Sequence, residues 1–184
     1  MAYSIGCSTK KVAEVTPAAT PAASVAPVAN SNETVLLAPV SGEVVAIEDV
    51  PDAAFASKAV GEGVAIRPTG KLVVAPCDGE LVKIFNTNHA FALVTDSGAE
   101  LIVHIGIETV KLGGQGFTRL AQQGSRVKAG EPVLELDLDY LAANAASTIS
   151  PVILSNADDF TAPEAVASGS VEAGKTVLYR FKTK

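Results

Sequence analysis

Histidine is the side chain whose ordinary pKa, near 6.5, lets it serve as nucleophile, proton carrier or metal ligand at neutral pH. This chain has two histidines in 184 residues. Both flank one candidate hairpin: Phe85-Asn86-Thr87-Asn88-His89-Ala90-Phe91-Ala92-Leu93-Val94-Thr95, the polar stretch Asp96-Ser97-Gly98-Ala99, then Glu100-Leu101-Ile102-Val103-His104-Ile105-Gly106. Two apolar runs around a Ser-Gly turn predict antiparallel strands. With the turn centred on Ser97-Gly98, Phe91 is expected opposite His104, Leu93 opposite Ile102 and Val94 opposite Leu101. His89, two residues before Phe91, then shares a face with His104, roughly 7 to 8 Å away on the diagonal. A register shifted by one residue would send the two rings to opposite faces.

A lone histidine in an apolar strand is commonly a hydrogen-bonded core residue. Convergence of the only two on one hairpin face points instead to a shared task. Two imidazoles make half a zinc site and need carboxylates such as Glu108, Asp96 or Glu100 to complete it. A serine triad is not signalled, and no G-x-S-x-G elbow is present. Phosphoryl transfer fits better, because one neutral imidazole can attack while the second donates a hydrogen bond to the phosphoryl oxygens. Thr87 is placed to fix the ring of His89 through its hydroxyl, and a backbone carbonyl such as that of Gly106 to hold the other nitrogen of His104.

Composition bounds the setting. Fourteen Lys and Arg against 20 Asp and Glu give a net charge of −6, which disfavours nucleic acid as a partner because phosphates need a basic face. The 48% of hydrophobic residues suffices for a sizeable core, yet no apolar run reaches the roughly 18 to 20 residues that span a bilayer. Cys7 and Cys77 are expected to be reduced thiols of a cytosolic protein. The triplet Ile5-Gly6-Cys7 lacks the basic start and apolar stretch of a lipoprotein signal.

Residues 1–33 are rich in Ala and Pro, with Pro17, Pro21 and Pro27 breaking any helix, and are expected to form a flexible arm or linker. From Thr34 to residue 184 the texture is that of an all-β domain: β-branched runs punctuated by Gly and Pro. Strands are predicted at 35–37, 43–47, 63–67, 71–74, 81–85, 90–95, 100–105, 132–136, 152–154 and 176–181. One helix is predicted over 138–146 with Asp137 as its N-cap, and short helical turns over 53–57 and 117–122. Ala38-Pro39-Val40-Ser41-Gly42-Glu43-Val44-Val45 recurs as Ala75-Pro76-Cys77-Asp78-Gly79-Glu80-Leu81-Val82, and Val127-Lys128-Ala129-Gly130-Glu131-Pro132-Val133-Leu134 as Val171-Glu172-Ala173-Gly174-Lys175-Thr176-Val177-Leu178. Duplication of a hairpin-rich unit explains both repeats.

Several motifs resemble the glucose-family enzyme IIA of the bacterial sugar phosphotransferase system: Leu37-Ala38-Pro39-x-Ser41-Gly42, Glu48-Asp49-Val50-Pro51-Asp52, Pro68-Thr69-Gly70, Thr87-Asn88-His89-Ala90-Phe91 and His104-Ile105-Gly106-Ile107-Glu108-Thr109-Val110. Gly116-Phe117 and Pro151-Val152-x-x-Ser155-Asn156 extend the resemblance, which runs across about residues 34–183. It implies an antiparallel β-sandwich or barrel of duplicated hybrid motifs with a few short helices. It also implies that His104 is phosphorylated through Nε2, that His89 stabilises the phosphoryl group and that Thr87 orients His89. Val50, Phe55, Phe85, Phe91, Ile105 and Val110 would form an apolar docking disc, with Asp52 and Glu108 meeting basic residues of the donor. Glu108, Ile105 and Ala53-Ala54 depart from the familiar form of the family, which bears on partner choice more than on chemistry.

The partners so implied are the phosphocarrier HPr, a IIB domain or sugar permease IIBC, and regulated transporters or metabolic kinases such as glycerol kinase. No cofactor is obligatory, and zinc would join His89 and His104 only with a partner's carboxylate. The protein is expected in the cytoplasm, peripheral to the inner face of the membrane when docked. A zinc peptidase on a related scaffold would need a third ligand and an H-x-H pair, and a biotinyl carrier the Met-Lys-Met turn; neither is present. The sugar, and whether the arm begins a free-standing carrier or joins it to a permease, stay open.

Overall fold

Short β-branched runs between glycines and prolines favour strands, since each is long enough to alternate faces and too short for three helical turns. The computed structural model describes residues 32–184. Its strands are β1 (Glu33–Leu37), β2 (Gly42–Ala46), β3 (Glu62–Pro68), β4 (Leu72–Val74), β5 (Gly79–Ile84), β6 (Ala90–Val94), β7 (Glu100–His104), β8 (Phe117–Arg119), β9 (Arg126–Val127), β10 (Pro132–Leu136), β11 (Ser150–Leu154), β12 (Glu164–Ala165), β13 (Ser170–Val171) and β14 (Val177–Lys182). Two helices, α1 (Ala53–Ala56) and α2 (Leu138–Asn144), are capped by the Asp52 and Asp137 carboxylates. An eight-stranded sheet runs β13-β2-β3-β11-β7-β6-β5-β9, beside three-stranded sheets β1-β14-β12 and β4-β10-β8. Every pairing is antiparallel. No helix among the described residues is long and apolar enough to cross a membrane.

The sequence repeats occupy equivalent places. Gly42 of β2 pairs with Val171 of β13, and Gly79 of β5 pairs in the same way with Val127 of β9. Gly174 N donates to Ala38 O, and Gly130 N to Ala75 O, each at 2.8 Å. The two copies meet reciprocally through Leu37 N to Pro76 O at 2.8 Å and Val74 N to Pro39 O at 2.7 Å. A Cβ on Gly42 would lie 2.1 Å from Arg67 O, and one on Gly79 2.5 Å from Val94 O, so both copies need glycine where a neighbouring strand crosses closely. These shared contacts make duplication a better account than two unrelated turns.

The arm expected over 1–33 lies outside the described residues except at its end, where Glu33 already pairs with Lys182 in β1; so do Cys7 and the Ile5-Gly6-Cys7 triplet. Segment 117–122 is not a helical turn. Its first three residues form β8, because buried Phe117 pairs with Leu136 and continues the small sheet. The short strands β9, β12 and β13 carried no legible alternation in two residues each.

The hairpin register differs from expectation by one residue. Ala90, not Phe91, stands opposite His104, with Ala92 opposite Ile102 and Leu93 opposite Leu101. Gly98 is the cause: at φ +83 it closes a turn with its N–H on Thr95 O and leaves a three-residue loop, Asp96-Ser97-Gly98, where a two-residue turn had been expected. Phe91 therefore points away from His104 into the main core and is fully buried, as is Ile105. Truncating Phe91 to Ala should cost about 3 to 5 kcal/mol, read as a lower urea midpoint. Phe85→Ala, at a side chain 36% exposed, should cost much less.

Candidate active site

Strict alternation in this register would put His89 on the face opposite His104. It does not apply, because His89 precedes β6. The chain between β5 and β6 folds into a tight turn closed by Asn88 N on Phe85 O at 2.7 Å, with Asn88 at φ +56. His89 leaves that turn in contact with His104, ring centroids 5.0 Å apart and planes 74° apart. Its carbonyl accepts from Ile105 N at 2.7 Å, and the Thr87 hydroxyl bonds its Nδ1.

His104 ends β7. Its Nδ1 lies 2.8 Å from the Gly106 carbonyl, an obligate acceptor, so Nδ1 carries the proton and the lone pair of the neutral ring sits on Nε2. Gly106 holds φ +69, where a Cβ would meet Thr109 Cγ2 at 2.7 Å and Ser147 O at 2.9 Å. Its N–H donates to the buried Ser150 hydroxyl at 3.1 Å, and buried Thr109 donates to Ile105 O. The hydroxyls of Ser150 and Thr109, which the sequence reading did not single out, thus brace the turn that fixes the tautomer of His104.

Phe55, on α1, packs its ring 5.2 Å from His104, and Phe85 packs 5.3 Å from His89, so the two imidazoles sit between two phenyl rings. Burial, and then the neighbouring His104, push His89 down to about 4. Burial also lowers His104, opposed by the Gly106 carbonyl and by the Asp52 charge. Both rings are neutral at pH 7, as a nucleophile and a hydrogen-bond donor require.

This depression has a stability consequence. The unfolded chain takes protons on histidine near pH 6.5, whereas folded His89 resists until about 4. Below about pH 6.5 the unfolded state binds more protons, so stability falls as the pH is lowered through that window toward about 4. Urea midpoints measured between about pH 7 and 5 should fall, and His89→Gln should flatten the slope. A mutant slope equal to wild type would contradict this.

The expected docking disc is only partly a surface. Phe85, Phe55 and Val110 are accessible, Val110 at 52%, whereas Phe91, Ile105 and Val50 are buried. In the observed register the half-exposed neighbours of His104 on its own face are Ala92 and Ile102, and Ile102, like Phe55 and Val60, packs against the edge of a second apolar cluster. Gly98, read as the end of a three-residue loop, was the signal that would have found them. Asp52 is half-buried and spends one carboxylate oxygen on Ala54 N at 2.9 Å. Glu108 is exposed, stands at φ +59 and pairs with Lys111 Nζ at 3.0 Å. Cys77 is buried, and desolvation pushes its thiol up to about 12, so it is an unreactive packing group.

Known proteins resemble this chain in sequence and fold. The family model described as "phosphoenolpyruvate-dependent sugar phosphotransferase system, EIIA 1" matches residues 34–160. The chain is 58% identical over 174 residues to the N-acetylglucosamine-specific EIICBA component of Klebsiella pneumoniae, covering 94% of this chain and 26% of that protein. It is 49% identical over 152 residues to the glucose-specific EIIA component of Haemophilus influenzae, covering 83% of this chain and 91% of that one. The chain thus spans about a quarter of the length of the first relative and most of the second. The solved structure of glucose permease IIA from Mycoplasma capricolum superposes with a TM-score of 0.77 at 35% identity, covering 80% of this chain and 95% of that one, and is a β-sandwich of the same kind. With matching fold, matching sequence and the paired imidazoles in place, the chain belongs to the EIIA 1 family of the phosphoenolpyruvate-dependent sugar phosphotransferase system.

Proposed function

We propose that this domain is a phosphocarrier that takes a phosphoryl group from phospho-HPr onto His104 Nε2 and passes it to a IIB domain for sugar uptake. The observation that carries the reading is the pair of touching imidazoles whose Nδ1 atoms are already engaged, by Gly106 and by Thr87, leaving both Nε2 atoms free. In the first step the P–N bond of the donor's phosphohistidine breaks as a P–N bond to His104 Nε2 forms, while the Nδ1 proton stays on the ring, donated to the Gly106 carbonyl. His89 donates from Nε2 to the phosphoryl oxygens, the tautomer that a Thr87 hydroxyl donating to Nδ1 selects. The return step runs the same exchange with the IIB acceptor.

Phe55, Phe85, Val110, Ala92 and Ile102 supply the dry rim against which a partner seals, and Asp52 and Glu108 the negative charge that a basic donor meets. Regulated transporters or glycerol kinase would compete for the same rim. This work takes place on the cytoplasmic side of the membrane, peripherally at a permease. The two Nε2 atoms offer two ligands to a zinc ion, which would need a carboxylate from a partner to complete its site. Similarity extending over 94% of the chain to an N-acetylglucosamine-specific component favours that amino sugar as the cargo.

Incubation with phospho-HPr followed by peptide mapping under conditions that preserve phosphoramidates tests the core of the reading. The phosphoryl group should be found on His104. Its placement on any other residue would refute the assignment.

A further inference from the structure

Arg119, exposed at the end of β8, reaches out of the small sheet β4-β10-β8 to the turn between β5 and β6. Its Nε donates to Asn88 Oδ1 at 2.8 Å and its Nη2 to the Phe85 carbonyl at 3.1 Å. That carbonyl also accepts from Asn88 N, so the guanidinium closes both ends of the turn from outside. The turn carries an unusual load. Phe85 packs on the His89 ring, Thr87 holds its Nδ1, and Asn88 occupies a left-handed conformation that a side-chain-bearing residue disfavours. The turn's internal ties are two backbone bonds, Asn88 N to Phe85 O and Phe85 N to Ala90 O at 3.0 Å.

We infer that Arg119 is a positioning residue for phosphoryl transfer, clamping the Phe85–Asn88 turn so that His89 presents Nε2 at a fixed place beside His104. The inference rests on the reading of His89 as the group that stabilises the transferred phosphoryl. A fork of donors is what the task needs, because two acceptors separated along the turn are held at once; a lysine ammonium on a flexible stem fixes only one. Arg119 touches neither imidazole and acts through the turn alone.

The test measures single-turnover transfer from the phosphorylated protein to IIB, together with the ¹⁵N spectrum of the two imidazoles. Arg119→Lys is expected to slow transfer about tenfold to a hundredfold at saturating IIB, the scale of a misplacement near 1 Å, with half-saturation and thermal midpoint near wild type. The His89 ring resonances should shift or broaden. Asn88→Gly keeps the left-handed turn but removes one acceptor, and should slow transfer less. Combined with Arg119→Lys it should add little further, because both changes break the same clamp. Wild-type transfer with an unchanged His89 spectrum in Arg119→Lys would overturn the inference, and so would a rate loss that merely tracks lost folding. His89→Gln run in parallel separates the failures. If it is slow while Arg119→Lys is not, the clamp alone is wrong; full-rate transfer by His89→Gln sinks the role of His89 and the clamp together.

Discussion

His104→Ala is expected to yield a folded protein that takes essentially no phosphoryl group from phospho-HPr, a loss of more than about 10³-fold. His104 is half-buried at the end of β7 and lies outside the main core cluster, so its removal opens space at a surface edge rather than a cavity within the sheet sandwich. The neighbouring imidazole is a poor substitute nucleophile. Burial and the adjacent ring hold His89 near a pKa of about 4, and a less basic nitrogen is a weaker attacker. Circular dichroism confirming the fold, beside a phosphorylation time course, makes the measurement decisive: sustained labelling of the variant would show that His104 is not the acceptor.

Replacing His89 by Gln should separate acceptance from delivery. The glutamine amide can still donate a hydrogen bond to a resting phosphoryl group, so labelling by phospho-HPr should persist. What it lacks is an adaptable charge. Beside a phosphoryl dianion the pKa of His89 must rise from about 4, because an adjacent negative charge favours the protonated ring, and an imidazolium stabilises oxygen charge that a neutral amide cannot. Delivery to IIB should therefore fall by about 10² to 10³, the scale for loss of one preorganised electrostatic contact to the transition state. Rapid mixing of the phosphorylated variant with IIB reads this directly, and undiminished delivery would refute the role.

The chemistry was more legible in the residues than the geometry was. Two histidines, a threonine two positions before one and a glycine two after the other point to an imidazole pair with fixed tautomers, and those partners are the ones observed. The duplicated Ala-Pro-x-x-Gly segments likewise announce a twice-used unit, since a glycine stands wherever a strand crosses too closely for a Cβ. What was not legible is which way each side chain faces. Register depends on whether Gly98 ends a two- or a three-residue turn, a choice made by one dihedral angle, and it decided that Ala92 and Ile102 rather than Phe91 flank His104. The histidines met all the same because His89 leaves a turn instead of a strand. Arg119 was hidden for a different reason: its partners, Phe85 and Asn88, are distant in sequence, and β8 itself was read as helical.

Asn88, Gly106 and Glu108, in the turns beside His89 and His104, all have left-handed backbone. These turns hold the imidazoles, whereas Ala92, Ile102, Phe55 and Val110 of the face proposed for partners lie on strands and short helical turns. Inheritance can act on the two separately. Under the proposed function, substitution at Ala92, Ile102 or Val110 changes what docks while leaving the hydrogen bonds of both Nδ1 atoms in place, whereas a Cβ at Gly106 would collide with Thr109 and Ser147. The backbone that sets the two tautomers and the surface proposed to choose the partner are thus separable parts of one site.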